Sequence, residues 1–140
     1  MTPAKGMTEK LIDTLYTESM VLADEARSYF DQFGRDARAE MTPLQRVSFS
    51  CESLKVTTRL MHSIAWLLAQ RAPHHIQNPL AAAAPSDDAT VTSLPDEARH
   101  LIRSSEDLYA RIQRLDRKLA QSSNDPNPAL FLRERLEQAF

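Results

Sequence analysis

The sequence predicts an all-α protein, an antiparallel three-helix bundle with a long helix 2–helix 3 loop and a flexible C-terminal segment. Three observations carry that expectation. Leu, Ala, Glu, Gln and Arg are abundant, while the chain has only two glycines and few clustered β-branched residues, a composition of helix formers. Three long stretches repeat apolar residues at 3-4 spacing, the signature of amphipathic helices. Helix-breaking residues mark the gaps between them: Gly34, then Pro73, Pro79 and Pro85, then Pro126 and Pro128. At 140 residues the chain supports one domain with a modest core.

Residues 1–7 read as a flexible lead-in. Thr8 is placed to cap a first helix over residues 8–33, which Gly34 is expected to stop. Leu11, Ile12, Leu15, Tyr16, Leu22, Ala23, Ala26, Tyr29, Phe30 and Phe33 share one arc of it. The opposite side is acidic, with Glu9, Asp13, Glu18, Asp24, Glu25 and Asp31 against Lys10 and Arg27. Such a face is ordinarily just solvated. Residues 34–42 connect to the second helix and are short enough to set it antiparallel to the first.

The second helix, residues 43–71, is the centre of the chain. Thr42 suits its N-cap, Pro43 its first turn and Gln45 the return contact of a capping box. One apolar row runs through Leu44, Val47, Cys51, Leu54, Thr58, Met61, Ala65 and Leu68. That row is expected to form the inner seam. A second row, Phe49, Val56, Leu60, Ile64 and Leu67, lies roughly opposite at 100° per residue. It is expected to be covered by the other helices or by a second copy of the chain. Only Gln45, Ser48, Glu52, Lys55, Arg59, Ser63 and Gln70 form a polar strip, and Trp66 falls upon it. Trp66 has two readings: a side chain covered by the following loop or the tail, or an exposed anchor for a partner, since tryptophan is enriched at interface hot spots.

The loop over residues 72–93, with three prolines and four consecutive alanines, is longer than two antiparallel helices need and is expected to be mostly disordered. Ser93 then opens the third helix, residues 94–121, with Pro95, Asp96 and Glu97 in its first turn. Its inner face is Leu101, Ser105, Leu108, Ile112, Leu115 and Leu119, supported by Ala98, Ile102 and Tyr109. Its reverse face is rich in Arg99, Arg103, Arg111, Arg114, Arg117 and Lys118. Residues 122–140 form the C-terminal segment. Within it Leu130, Phe131, Leu132, Leu136 and Phe140 make a short apolar run that must dock to be ordered. It is either a docking peptide for a partner's groove or a strap folded back on the bundle.

Chemistry is scarce. His62, His74, His75 and His100 lack zinc-ligand spacing to each other or to Cys51. Two isolated glycines make no phosphate-cradling loop, and no carboxylate pair falls on an inward face. No metal or cofactor is expected, and no enzymatic activity. A formal net charge of −2 argues against nucleic acid or an anionic membrane as partner. One cysteine, no leader-like apolar run and no apolar stretch near the ~20 residues of a membrane span predict a soluble cytoplasmic protein. The candidate partner-binding residues are therefore Trp66, Phe49, Leu60, Ile64 and Leu67 on the second helix, and Leu130, Phe131, Leu132, Leu136 and Phe140 in the tail.

The opening Thr8-Glu9-Lys10-Leu11, the Tyr29-Phe30 end of the first helix and the second-helix run carry a resemblance. That run passes from Leu44 through Ser48, Glu52, Leu54, Thr57, Thr58, Arg59, Leu60 and Met61 to Trp66-Leu67-Leu68. Together with the loop and the Arg-rich third helix, this pattern over roughly residues 8–120 resembles the regulator-of-CtrA-degradation family of alphaproteobacteria. The resemblance implies a non-enzymatic three-helix-bundle adaptor that helps the ClpXP protease degrade the cell-cycle regulator CtrA and other cargo. It further implies work with the response-regulator-like CpdR and the cyclic di-GMP-binding PopA, at a cell pole.

Overall fold

The computed structural model of the chain describes residues 3–72, 78–124 and 136–138. Among them the regular structure is helical. Helix α1 spans Pro3–Ser28 and passes through a π-helical turn, Tyr29–Phe33, into α2, Gly34–Ala39. The long central helix α3 spans Pro43–Arg71, a short α4 spans Asp88–Thr92, and α5 spans Asp96–Asn124.

Several boundaries differ from the sequence expectation. Helix α1 starts at Pro3 rather than Thr8, because proline is tolerated in a first turn and nothing after it breaks the ladder. Gly34 does not stop it. Its φ of −60° and ψ of −32° are right-handed helical, and its N–H donates to the Tyr29 carbonyl, the i→i+5 bond of a π turn. Tyr29 and Phe30, the first two residues of that turn, both pack against Phe49, with ring centroids 6.2 and 5.3 Å away. Phe33, expected on the inner arc, is instead exposed. Ser93 ends α4, its hydroxyl donating to the Thr90 carbonyl at 2.6 Å, rather than opening α5. Helix α4 is capped by Asp87, which accepts from the Thr90 N–H at 3.2 Å, and it delivers the buried Val91 to the core. The start of α3 is fastened by a complete capping box: the Gln45 N–H donates to Thr42 Oγ1 at 3.2 Å, and the Thr42 N–H donates to Gln45 Oε1 at 3.0 Å.

Helix direction is the main topological finding. Tyr29 meets Phe49 at one end of the molecule, while Asp13 and Tyr16 meet Arg71 at the other. Helices α1 and α3 are therefore antiparallel. Arg59 bonds Ser105 and, about two turns further along α3 and three along α5, Trp66 bonds Asp116, so α3 and α5 run parallel. Glu18 pairs with Arg111, which fits α1 running against α5 as well. The bundle is thus antiparallel in α1 but not between the second and third long helices. A parallel neighbour demands a crossover. The segment over residues 78–87 is the described part of that crossover, and it runs extended with hydrogen bonds to α3 and α5.

The core collects Ile12, Leu15, Leu22, Ala26 and Tyr29 of α1 and Phe49, Val56, Leu60, Trp66 and Leu67 of α3. From the C-terminal half it adds Val91, Leu94, Ala98, Leu101, Ile102, Leu108, Ile112 and Leu115. The inner face of α5 is the one its one-sided amphipathicity dictates. A Cβ on Gly34 would sit 3.6 Å from the Phe49 ring, an ordinary contact distance. Replacing a helical glycine by alanine removes backbone entropy from the unfolded chain. Gly34→Ala is therefore expected to be neutral to stabilising, by up to about 1 kcal/mol in urea unfolding. A helix-stopping glycine in the left-handed region would respond with the opposite sign.

Candidate interaction surface

The polar strip of α3 faces inward. Glu52 and Arg59 are each only 2% exposed, an environment that charged side chains occupy only when paired and hydrogen-bonded. Their partners come from the crossover. Arg59 Nη2 donates to the Ala84 carbonyl at 3.0 Å and to Ser86 Oγ at 2.6 Å, and its Nη1 reaches Ser105 Oγ at 3.2 Å. Ser86 Oγ in turn donates to Glu52 Oε2 at 2.5 Å. Lys55 Nζ, on the rim, donates to Glu52 Oε1 and to the Pro85 carbonyl, both at 3.1 Å. Burial pulls the Arg59 guanidinium below its ordinary value, against the opposing pull of Glu106 and Glu52.

A second clamp holds the other end of the crossover. Asp116 accepts the Trp66 indole N–H at 3.2 Å on one oxygen and the Leu80 N–H at 3.1 Å on the other. Tyr109 Oη donates to the Ala81 carbonyl at 2.6 Å. Leu80 thus sits level with Trp66, and Ser86 level with Glu52. Six residues of extended chain span about 20 Å, and the fourteen residues of α3 between those levels rise about 21 Å. The strap is extended because only extended chain covers that distance. Its side chains are small because they lie flat on two helices.

These contacts overturn several expectations about the surface. Phe49, Leu60 and Leu67 are core residues and Ile64 is half-buried, so that row does not present itself to a partner. Trp66 is not an exposed anchor; of its two readings, coverage by the loop holds. Cys51, expected on the inner seam, is exposed. Leu136 is exposed, while Leu130, Phe131, Leu132 and Phe140 lie outside the described residues, as do His74 and His75.

What faces outward is the other apolar row. Leu44 is 76% exposed, Val47 60%, Leu54 67%, Met61 63% and Leu68 48%. Cys51, Thr58 and Ala65, interleaved with them, are exposed too. The unbroken 3-4 spacing was legible in the sequence; its outward direction was not. A fully buried aliphatic side chain gains about 1.5–3 kcal/mol, so this face holds roughly 5–10 kcal/mol of unrealised burial. Contiguous apolar surface of this kind marks an interaction site.

Other features are minor. A shallow depression beside Tyr29 is lined by Asp24, Glu25, Ser28, Phe33, Glu97, His100 and Leu101. Burial, with the neighbouring Glu97 charge, raises the Tyr29 phenol above its ordinary 10.0. Among the described residues no group of three or more His, Cys, Asp or Glu side chains is placed to hold a metal, and no helix is long and apolar enough to cross a membrane.

Comparison with known proteins adds identity to this geometry. A family model described as "Protein of unknown function (DUF1465)" matches residues 4–140. Among solved structures, the crystal structure of RcdA from Caulobacter crescentus CB15 is similar, with 32% sequence identity and a TM-score of 0.61. The likeness covers 77% of this chain and 89% of that one. Comparison with curated proteins gives no match.

The clamp makes a direct prediction. Removing Arg59 takes the donor from the buried Ala84 carbonyl, Ser86 Oγ and Ser105 Oγ, while Glu52 keeps its ion pair with Lys55, and stranding a buried polar group costs about 1–3 kcal/mol. Arg59→Ala should lose stability of that order in urea unfolding and render the segment over residues 78–87 susceptible to limited proteolysis. The double replacement Glu52→Leu with Arg59→Met should cost less than the sum of the two single changes.

Proposed function

The chain belongs to the DUF1465 family and is RcdA-like, and on that premise we propose that it is a non-enzymatic adaptor in regulated proteolysis. In this reading it helps deliver CtrA and other cargo to the ClpXP protease, in company with CpdR and PopA and concentrated at a cell pole. The single observation that supports an interaction role is the exposed apolar face of α3. A domain of this size does not leave five large aliphatic side chains in one row on its central helix unless another molecule covers them. We further propose that the working form is a homodimer.

An adaptor of this kind works by effective concentration. Cargo and protease-bound partner each bind the bundle weakly, and holding both on one body converts the second encounter into an intramolecular one. A rigid bundle suits that task, because little ordering entropy is lost on binding. The segment over residues 125–140, with Leu130, Phe131, Leu132, Leu136 and Phe140, is the candidate docking peptide. The rival reading is a dimeric module that localises partners at the pole without presenting substrate.

Reconstituted degradation separates the two. ClpXP, CtrA, CpdR, PopA and cyclic di-GMP should degrade CtrA faster when the chain is added. Removal of residues 125–140 should leave helicity unchanged and slow delivery of at least one cargo. No acceleration by a folded chain, with CtrA and with alternative cargo, would favour the localisation module.

A further inference from the structure

The groove between α3 and α5 is filled by the strap, and every third residue of the strap faces it. Leu80, Ala83 and Ser86 are half-buried, while Pro79, Ala81, Ala82, Ala84 and Pro85 are exposed. A repeat of three in an extended chain bounded by prolines is that of a polyproline II helix. The groove holds this chain mostly by its backbone. Tyr109 donates to the Ala81 carbonyl, Arg59 to the Ala84 carbonyl and Lys55 to the Pro85 carbonyl, and Asp116 accepts the Leu80 N–H. The side-chain contribution comes from Ser86, bonded to Arg59 and Glu52, and from Leu80, packed against the core.

We propose that this groove is a binding site for proline- and alanine-rich extended segments of other proteins, and that the strap is the intramolecular ligand that occupies it in their absence. Grooves with aromatic side chains are the general means of recognising such segments, which lose little entropy on binding because they are extended beforehand. Trp66 and Tyr109 supply the aromatic groups here, through their bonds to Asp116 and the Ala81 carbonyl. Backbone carbonyls are common to every chain. What the groove specifies is therefore an extended conformation, small side chains at every third place and a hydroxyl to meet Glu52 and Arg59. An incoming chain of that kind supplies the two buried charges with partners equivalent to those it removes.

Two features make the strap replaceable. The first is slack. The chain from Arg71 to Ser86 extends to about 50 Å, whereas the return along α3 from Arg71 to the level of Glu52 is about 29 Å. The strap can therefore leave the groove without displacing either helix. The second is an incomplete fit. The Pro85 carbonyl meets Lys55, and one polyproline II turn earlier the Ala82 carbonyl comes round to the same side. Two turns along α3 from Lys55 stands His62, half-buried, with its Nδ1 shielded from water and lacking a hydrogen-bond partner. A competing chain with a polar side chain at that level gains a bond the strap does not make. A partner already held elsewhere on the bundle presents its segment at an effective concentration comparable with the strap's own. The site goes beyond the adaptor reading and stands whether or not the chain delivers cargo.

Trp66, the chain's single tryptophan, reports occupancy of the groove by its fluorescence. In the full-length chain, Ala83→Asp puts a charge at a half-buried position of the strap and should release it. Helicity should be retained, residues 78–87 should become open to elastase, and Trp66 emission should move to the red. A synthetic peptide of residues 78–88 should then bind and restore the blue emission. It should bind this variant about tenfold more tightly, or better, than the unaltered chain, whose strap competes. Adding Tyr109→Phe to the variant should weaken the peptide roughly twofold to tenfold, the share of one hydrogen bond. The same peptide carrying Ala83→Asp should not bind. Loss of helicity in the Ala83→Asp chain would show the strap to be inseparable from the fold and overturn the proposal. A released strap with no peptide binding, or binding of equal strength to both chains, would overturn it as well.

Discussion

The buried pair of Glu52 and Arg59 governs the rest of this structure. Two charges in a small helical core are tolerable only when every strong donor and acceptor is engaged. Their partners, the Ala84 carbonyl and Ser86 Oγ, belong to a segment 25 to 34 residues further along the chain than the charges they bind. Pinning that segment lengthwise on α3 returns the chain to the level from which α3 began. From there α5 runs beside α3 in the same direction. The long connection, the parallel helices and the inward polar strip are one arrangement, because none of them is satisfied without the other two.

That arrangement also decides which face of α3 is free. A helix with two apolar rows has two ways of sitting in a bundle. Turning Glu52, Arg59, Ser63 and Trp66 toward the strap and α5 brings Phe49, Val56, Leu60 and Leu67 inward beside them. The row from Leu44 to Leu68 is then left on the outside. The available surface is thus a consequence of internal polar bonding, which links the way the chain folds to what it can bind. In an adaptor such a face can be given to a second copy while the remaining surface serves other partners.

Peripheral features follow the same economy of shape. The π turn at Tyr29–Phe33 opens with two aromatic residues whose rings both pack against Phe49. Helix α4 closes the adjacent end of the bundle with Val91, and Leu94 follows it into the core. Ion pairs such as Glu18 with Arg111 and Asp88 with Arg103 join neighbouring elements at the surface, where each is worth little by itself.

Local patterns in the sequence determined the local structure. Thr42, Pro43 and Gln45 define the start of α3 because capping involves only neighbouring residues. The inward face of α5 was legible since it has one apolar side and no competitor. Family resemblance, too, was carried by residues in line. Tertiary structure alone decided the direction of α5, the order in the strap and the orientation of α3. An extended strap of Pro, Ala and Ser has no periodicity of its own, and it is held by side chains distant in sequence. Periodicity likewise measures how apolar a face is, not what will cover it. With two comparable apolar rows on α3, the choice between them fell to Glu52 and Arg59, whose partners come into reach only once the chain has folded.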